Sequence, residues 1–389
     1  MIPYGKQTIT NKDIQRVIKI LKSDYLTQGP VVQTFEREVA KYCNTNYGVS
    51  TNSASSALTL ACKALGVKKG DSVWTSAITF VASTNCALHC NASIDLIDID
   101  PKTYNISISD LEEKLINAKI KNKLPKVVIP VHLAGNSCDM KKIYNLSKKY
   151  HFSILEDASH CIGGSHRNKK IGSCQYSDIT VFSFHPVKIM TTGEGGMALT
   201  NDFKLADDMQ KLRSHGVTKN PNQMHNIPHG PWYYEQQELG YNFRLTDLKS
   251  ALGLSQLKQV DNFIKKRNNI AKIYNNSLKN LELTLPFVDN FNHSTFHLYI
   301  IRIKNRGSWS QKNIFQKLIR NGINVNLHYM PIYKHPFYKK FKFKEKNFPN
   351  AETYYQEAIS LPIFPTLTVK EIKFIVKTIK ESVGHQVLF

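Results

Sequence analysis

The order of segments along the chain predicts an α/β protein, a mainly parallel sheet covered on both faces by helices, followed by a smaller α/β unit. Three observations predict it. Short apolar runs of strand length alternate with amphipathic stretches, a long helical stretch follows them, and strand–helix patterning then resumes on a smaller scale. Parallel strands need long crossover connections, which place helices on the faces of the sheet.

The strands are expected at 72–75, 93–98, 126–131, 152–156, 179–184 and 197–200. Helical patterns at 55–65, 81–89, 109–118 and 141–150 lie between them. A long helical stretch over 245–278 carries Leu252, Leu254, Leu257 and Val260 in its apolar stripe. A strand at 297–303, a helix over Gln311–Arg320 and a final helix at 369–378 follow. We therefore expect a large domain over 26–280, including the long connecting helix, and a small C-terminal domain over 281–389. The N-terminal segment, 1–25, is expected to pack on the small domain. No internal repeat or low-complexity linker interrupts this order.

With 389 residues, 41% of them hydrophobic and 10% aromatic, the chain has room for two domains and a large core. No run reaches the roughly 18 unbroken apolar residues of a membrane span. The start, Met1-Ile2-Pro3-Tyr4-Gly5-Lys6-Gln7, lacks the charged and apolar regions of a signal peptide, so a cytoplasmic protein is expected. The seven cysteines are scattered, and only Cys86 and Cys90 have close spacing, without a second pair to complete a zinc site. Free thiols and no metal are expected.

Lysine and arginine number 52 against 30 acidic residues, a net charge of +22. Such a balance raises the possibility of nucleic-acid binding. The lysines are spread along the chain, however, and no helix-turn-helix, zinc-finger or RNA-recognition signature accompanies them. A solvated basic surface that attracts an anionic nucleotide is the better reading; a basic regulatory protein on the same fold is the alternative from another class.

The chemistry is concentrated in Ser183-Phe184-His185-Pro186-Val187-Lys188 and Thr191-Thr192-Gly193-Glu194-Gly195-Gly196. Both follow an apolar run, 179–182, that reads as a buried strand. A lysine just past such a strand, beside hydroxyls and a glycine turn, suits imine formation with an aldehyde cofactor, which needs an amine whose charged form is disfavoured. Upstream, Glu156-Asp157-Ala158-Ser159-His160 ends another apolar strand, where an uncompensated carboxylate is costly. A protonated ring nitrogen would compensate Asp157; so would a role as a helix N-cap. Asn52-Ser53-Ala54-Ser55-Ser56 supplies hydroxyls where a strand turns into a helix, a suitable place for a phosphate.

Together these motifs resemble the DegT/StrS family of pyridoxal-phosphate-dependent sugar-nucleotide aminotransferases. The likeness extends from Thr27-Gln28-Gly29-Pro30 to Leu361-Pro362. It implies the type I, aspartate-aminotransferase-like fold, with a mainly parallel seven-stranded sheet in the large domain. It implies that Lys188 and Asp157 are catalytic, with pyridoxal 5'-phosphate held by Ser55, Ser56, Phe80, Asp157, His160, Ser183 and Lys188. Phe80 would stack on the ring, although an ordinary core phenylalanine is its plainer role. Gly240-Tyr241-Asn242-Phe243-Arg244 resembles the segment that crosses between subunits of a homodimer, with Asn242 reaching the other protomer's phosphate. A turn capping the long helix is compatible with that. Thr27, Arg244, His328 and Tyr329 fall at substrate positions. Trp232-Tyr233-Tyr234-Glu235, Ser137-Cys138-Asp139-Met140, Ser177-Asp178-Ile179-Thr180 and Asn326-Leu327-His328-Tyr329 resemble a subgroup active toward pseudaminic acid. That subgroup moves an amine from L-glutamate to a UDP-linked 4-keto hexose, whereas related enzymes aminate C3 or D-sugars. Dehydratases of the family carry histidine in place of Lys188.

Overall fold

The computed structural model describes residues 1–304 and 310–383. Its centre is a seven-stranded sheet of β1 (Tyr47–Thr51), β2 (Ser72–Ser76), β3 (Ser93–Ile97), β4 (Val127–Ile129), β5 (Ser153–Asp157), β6 (Ile179–Ser183) and β7 (Gly196–Thr200). The spatial order is β1-β7-β6-β5-β4-β2-β3. Neighbours from β6 through β3 are parallel, while β7 runs antiparallel to both β6 and β1. The steps from β2 to β3 and from β4 to β5 each run through a helix, and the parallel step from β5 to β6 crosses over without one. The link from β6 to β7 contains none, so the chain simply returns beside the strand it left. That return carries Lys188.

Period-two alternation assigns each strand residue to one of the two faces of the sheet. Val73, Val127, Ile129, Leu155 and Val181 face α3 (Ala54–Ala64), α4 (Ala82–Leu88) and, through Met209, α7 (Phe203–Arg213). Trp74, Val128 and Ile154 face α5 (Ile108–Ile120) and α6 (Met140–Tyr150). The sheet is thus covered on both sides, and the C-terminal ends of β5 and β6 open beside the start of α3, where α/β sheets bind ligands.

The stretch expected as one helix over 245–278 is two, α8 (Asp247–Leu257) and α9 (Val260–Leu278). Its two ends serve different cores. Leu254, Val260 and Ile264 pack with Phe35 and Phe184, whereas Ile270, Ala271, Tyr274 and Leu278 join the C-terminal core. A second sheet, antiparallel throughout, holds Leu283–Thr284, Tyr299–Ile303 and Ala358–Leu361. Gln311–Arg320 and Val369–Ser382 are helices buried in the same core.

Packing departs from a clean division near residue 280. Ile2 bridges to Ile323 and enters the C-terminal core, but α1 (Asn11–Leu21) lies on α8. There Gln256 donates to the Thr8 carbonyl and to Asp13, both at 2.9 Å. Conversely, Ile332, Tyr333, Tyr338 and Tyr354 belong to the core of the large sheet. Within the expected small domain, 305–309 and 384–389 lie outside the described residues. Among the described residues no helix is long and apolar enough to cross a membrane, and no group of His, Cys, Asp and Glu could hold a metal ion.

Candidate active site

The return from β6 to β7 is held by its own hydroxyls. Thr191 Oγ1 and the Thr192 amide both donate to the Phe184 carbonyl at 3.0 Å, and the Gly193 amide donates to Thr191 Oγ1 at 2.9 Å. Gly193 takes a φ of +79°, a region that L side chains rarely adopt. Phe184 anchors the return against Phe35, with ring centroids 5.4 Å apart. Lys188 is thereby fixed on a short, braced loop. Burial pushes its amine down to about 8, against the opposing pull of Asp157.

Asp157 ends β5 with its carboxylate held by three donors of the protein. Ser83 donates to Oδ2 at 2.6 Å, and the Ser159 hydroxyl and amide donate to Oδ1 at 2.6 and 3.2 Å. The helix-cap alternative does not describe it, because these donors come from a neighbouring helix and a local turn. Glu156, one residue earlier, points to the opposite face. Burial disfavours its charge, but hydrogen bonds from His132, Ser177 and Thr180 outweigh that and hold its pKa below the ordinary value.

Three imidazoles close the far side. His160 is held far below its usual pKa by burial and then by the positive fields of Lys188, His328 and His132. The Ala134 amide donates to its Nδ1 at 3.3 Å, so Nε2 carries the proton and donates to the Tyr329 hydroxyl at 3.1 Å. His297, 4.3 Å from the His160 ring, is also kept neutral, first by burial. Burial and Lys188 lower His328 to about 3, and its Nδ1 pairs with Ser360 at 2.9 Å. A cis peptide joins His328 to Tyr329.

These groups face one cavity of about 850 Å³. Its other end is the start of α3. Ser53 caps that helix by accepting from the Ser56 amide at 3.2 Å, which leaves the Ala54 and Ser55 amides without intrahelical partners. A Cβ built on Gly196 would fall 2.5 Å from the Ala54 nitrogen, so only glycine lets β7 pass behind this turn. Ser55 is exposed toward the cavity, whereas the Ser56 hydroxyl is occupied by Asn52 at 2.6 Å. An anion cradle, a buried carboxylate and a lysine of lowered pKa in one cavity fit pyridoxal phosphate.

Of the residues expected from sequence, Ser55, Ser56, Phe80, Asp157, His160, Ser183, Lys188, His328 and Tyr329 line this cavity. Phe80 is 55% exposed with its ring 5.9 Å from that of Tyr329, so it is not a core phenylalanine. Thr27, Asn242 and Arg244 do not line it. Thr27 instead bridges to Thr246, and Asn242 is exposed beside Ser214. The two segments form one patch, locked where Asp247 accepts from the Gly29 and Val31 amides at 2.8 and 2.9 Å. Sequence reasoning missed Tyr4, His297 and Lys249, which line the cavity, and Ser83, which does not line it but holds Asp157. No local pattern marks them, since each meets the site from a distant segment.

The model of the DegT/DnrJ/EryC1/StrS aminotransferase family matches residues 7–380. The chain is 37% identical to a UDP-4-amino-4,6-dideoxy-N-acetyl-β-L-altrosamine transaminase of Campylobacter jejuni, covering 97% of this chain and 96% of the relative. It is 30% identical to GDP-perosamine synthase of Escherichia coli O157:H7, over 98% of each chain. Among solved structures it resembles Helicobacter pylori PseC, an aminotransferase involved in pseudaminic acid biosynthesis. That likeness has a TM-score of 0.90 and 31% identity, covering 98% of this chain and 99% of the other.

Proposed function

The chain belongs to the DegT/DnrJ/EryC1/StrS aminotransferase family and is a pyridoxal-phosphate-dependent sugar aminotransferase, and on that premise we propose that it aminates C4 of a UDP-linked 4-keto-6-deoxy-N-acetylhexosamine with L-glutamate as donor. The acceptor under this reading is UDP-2-acetamido-2,6-dideoxy-β-L-arabino-hexos-4-ulose, and the product is UDP-4-amino-4,6-dideoxy-N-acetyl-β-L-altrosamine, toward pseudaminic acid. One observation carries the chemistry. The Lys188 amine, lowered to about 8, and the braced Asp157 carboxylate face the same cavity. Full-length likeness to the Campylobacter and Helicobacter proteins supports the sugar.

Bound pyridoxal phosphate supplies an electron sink for charge that develops at the substrate carbon. Asp157 would hold the cofactor's ring nitrogen protonated, while Ser83 and Ser159 keep the carboxylate from turning away. The start of α3, with Ser55 and Ser183, would hold the phosphate. Lys188 would serve as the nucleophilic amine and as the base that moves a proton at the substrate carbon. Its lowered pKa leaves a useful fraction uncharged near neutrality. Neutral His160 donates to Tyr329, so the phenol keeps its own proton available for an oxygen in the cavity.

The patch of Thr27, Asn242 and Arg244 lies outside its own cavity, which supports a homodimer in which these residues complete the neighbouring subunit's site. The test is turnover of UDP-, dTDP- and GDP-linked keto sugars with L-glutamate, with products identified by NMR. The L-arabino 4-keto UDP sugar is expected to give the highest kcat/KM. Preference for a GDP-linked D-sugar, the reading favoured by the perosamine-synthase relative, would replace the substrate assignment.

A further inference from the structure

The first turn of α8 brings a cation to the cavity that the chemistry above does not use. Lys249 lines the same space as Lys188 and Ser55. Its backbone amide is capped by Thr246 Oγ1 at 3.3 Å, which fixes the turn, and its side chain is half-buried. Among the described residues no carboxylate lies within ion-pair distance of its amine. A half-buried ammonium without a counter-charge is unfavourable until an anion arrives beside it.

The packing of α8 says which end of the cavity Lys249 serves. The Phe243 carbonyl, just before the helix, accepts from the Asn52 amide at 2.8 Å. Leu245 closes on Gly195, where a built Cβ would lie 3.3 Å from its Cδ1, and Gly253 fits against Thr192 and Phe35. The start of α8 is thus seated on Asn52 and on the 192–196 turn, next to the open amides of Ala54 and Ser55.

We propose that Lys249 binds the phosphate of the cofactor from within the same chain. It adds a full positive charge to the helix-start amides and hydroxyls. This rests on the cofactor reading above. Sugar-nucleotide diphosphate offers the same chemistry, so the experiment has an arm for each source.

Full-length cofactor-free protein is titrated with pyridoxamine phosphate, with pyridoxamine and with UDP, as wild type, Lys249→Gln and Lys249→Arg. Lys249→Gln is expected to weaken pyridoxamine phosphate binding about tenfold, by the usual worth of a charge-assisted hydrogen bond. Pyridoxamine and UDP binding should be unchanged, and Lys249→Arg should recover most of the loss. Equal weakening of pyridoxamine would mean a structural role and overturn the proposal. So would unchanged pyridoxamine phosphate affinity, or a loss confined to UDP. Wild-type protein that binds neither pyridoxamine compound would overturn the cofactor reading itself, an outcome separable from failure at Lys249.

Discussion

Lys188 and Asp157 share a cavity, yet burial outweighs their attraction, and the lysine is lowered to about 8. Its charge is therefore a liability in the cofactor-free protein. The folded pKa lies below the unfolded value of about 10.4, so between these pH values the unfolded chain binds more protons and stability rises with pH. Below pH 8 both states are protonated and the penalty is complete. Lys188→Met should accordingly be more stable than cofactor-free wild type at pH 7, with the gap in Tm closing as pH rises toward 10; a gap constant with pH would contradict the lowered pKa. For the reaction, Lys188→Ala should lose transamination by several orders of magnitude while still binding pyridoxamine phosphate, because the phosphate and ring contacts do not depend on the amine. Asp157→Asn preserves the shape but cannot hold a ring nitrogen protonated. It should slow turnover at least about a hundredfold, by analogy with loss of one preorganised charge contact. Single-turnover measurement would check both.

At the scale of elements, the site depends on how tightly the start of α3 is pressed against β7. Gly196→Ala places a methyl on the Ala54 nitrogen and Ser53. It should lower stability by about 1–3 kcal/mol and empty the phosphate cradle first. Urea unfolding and the cofactor absorbance retained after dialysis read the two effects separately. The other junction is α2 (Pro30–Cys43), which begins without a side-chain cap of its own because Gly29 stands at that position. Asp247 supplies the cap from α8, more than two hundred residues away. Asp247→Ala should cost about 1–3 kcal/mol. It should also loosen the Thr27–Thr246 bridge and so reduce substrate binding more than cofactor binding. Equal loss of both would show that the patch has no separate part in recognition.

At the scale of the molecule, the proposed division of the site between two chains is open to complementation. A Lys188→Ala chain keeps its Asn242 and Arg244, while a chain altered at Asn242 and Arg244 keeps its lysine. If these residues act across the interface, each mixed dimer regains one complete site. Random exchange makes about half the dimers mixed, so activity should return to roughly a quarter of wild type. No recovery after demonstrated exchange would assign the segment to its own chain.

The sequence by itself determined the strand–helix alternation and the mainly parallel sheet, and it singled out the two cavity residues proposed to carry the chemistry. It could do so because periodicity is local, and because Asp157 ends an apolar strand and Lys188 follows closely after one, where a charged group needs a reason. The turn at Ser53–Ser56, the proposed phosphate cradle, was legible because a strand-to-helix switch is also a local pattern. Only the tertiary structure decided the rest. Ser83 is four residues from Thr79 in sequence but holds Asp157, 74 residues on, because α4 packs over the end of β5. Asp247 reads locally as the start of α8, yet its carboxylate caps α2 and Thr246 caps α8. The run over 245–278 looked continuous, since helical period says nothing about which core a helix will meet. Lys249 looked like one more surface lysine among the 52 basic residues, and became a cavity residue only where α8 is seated against Asn52. Contacts between residues far apart in sequence leave no periodic trace in a single chain, so their partners appear only when the chain is packed.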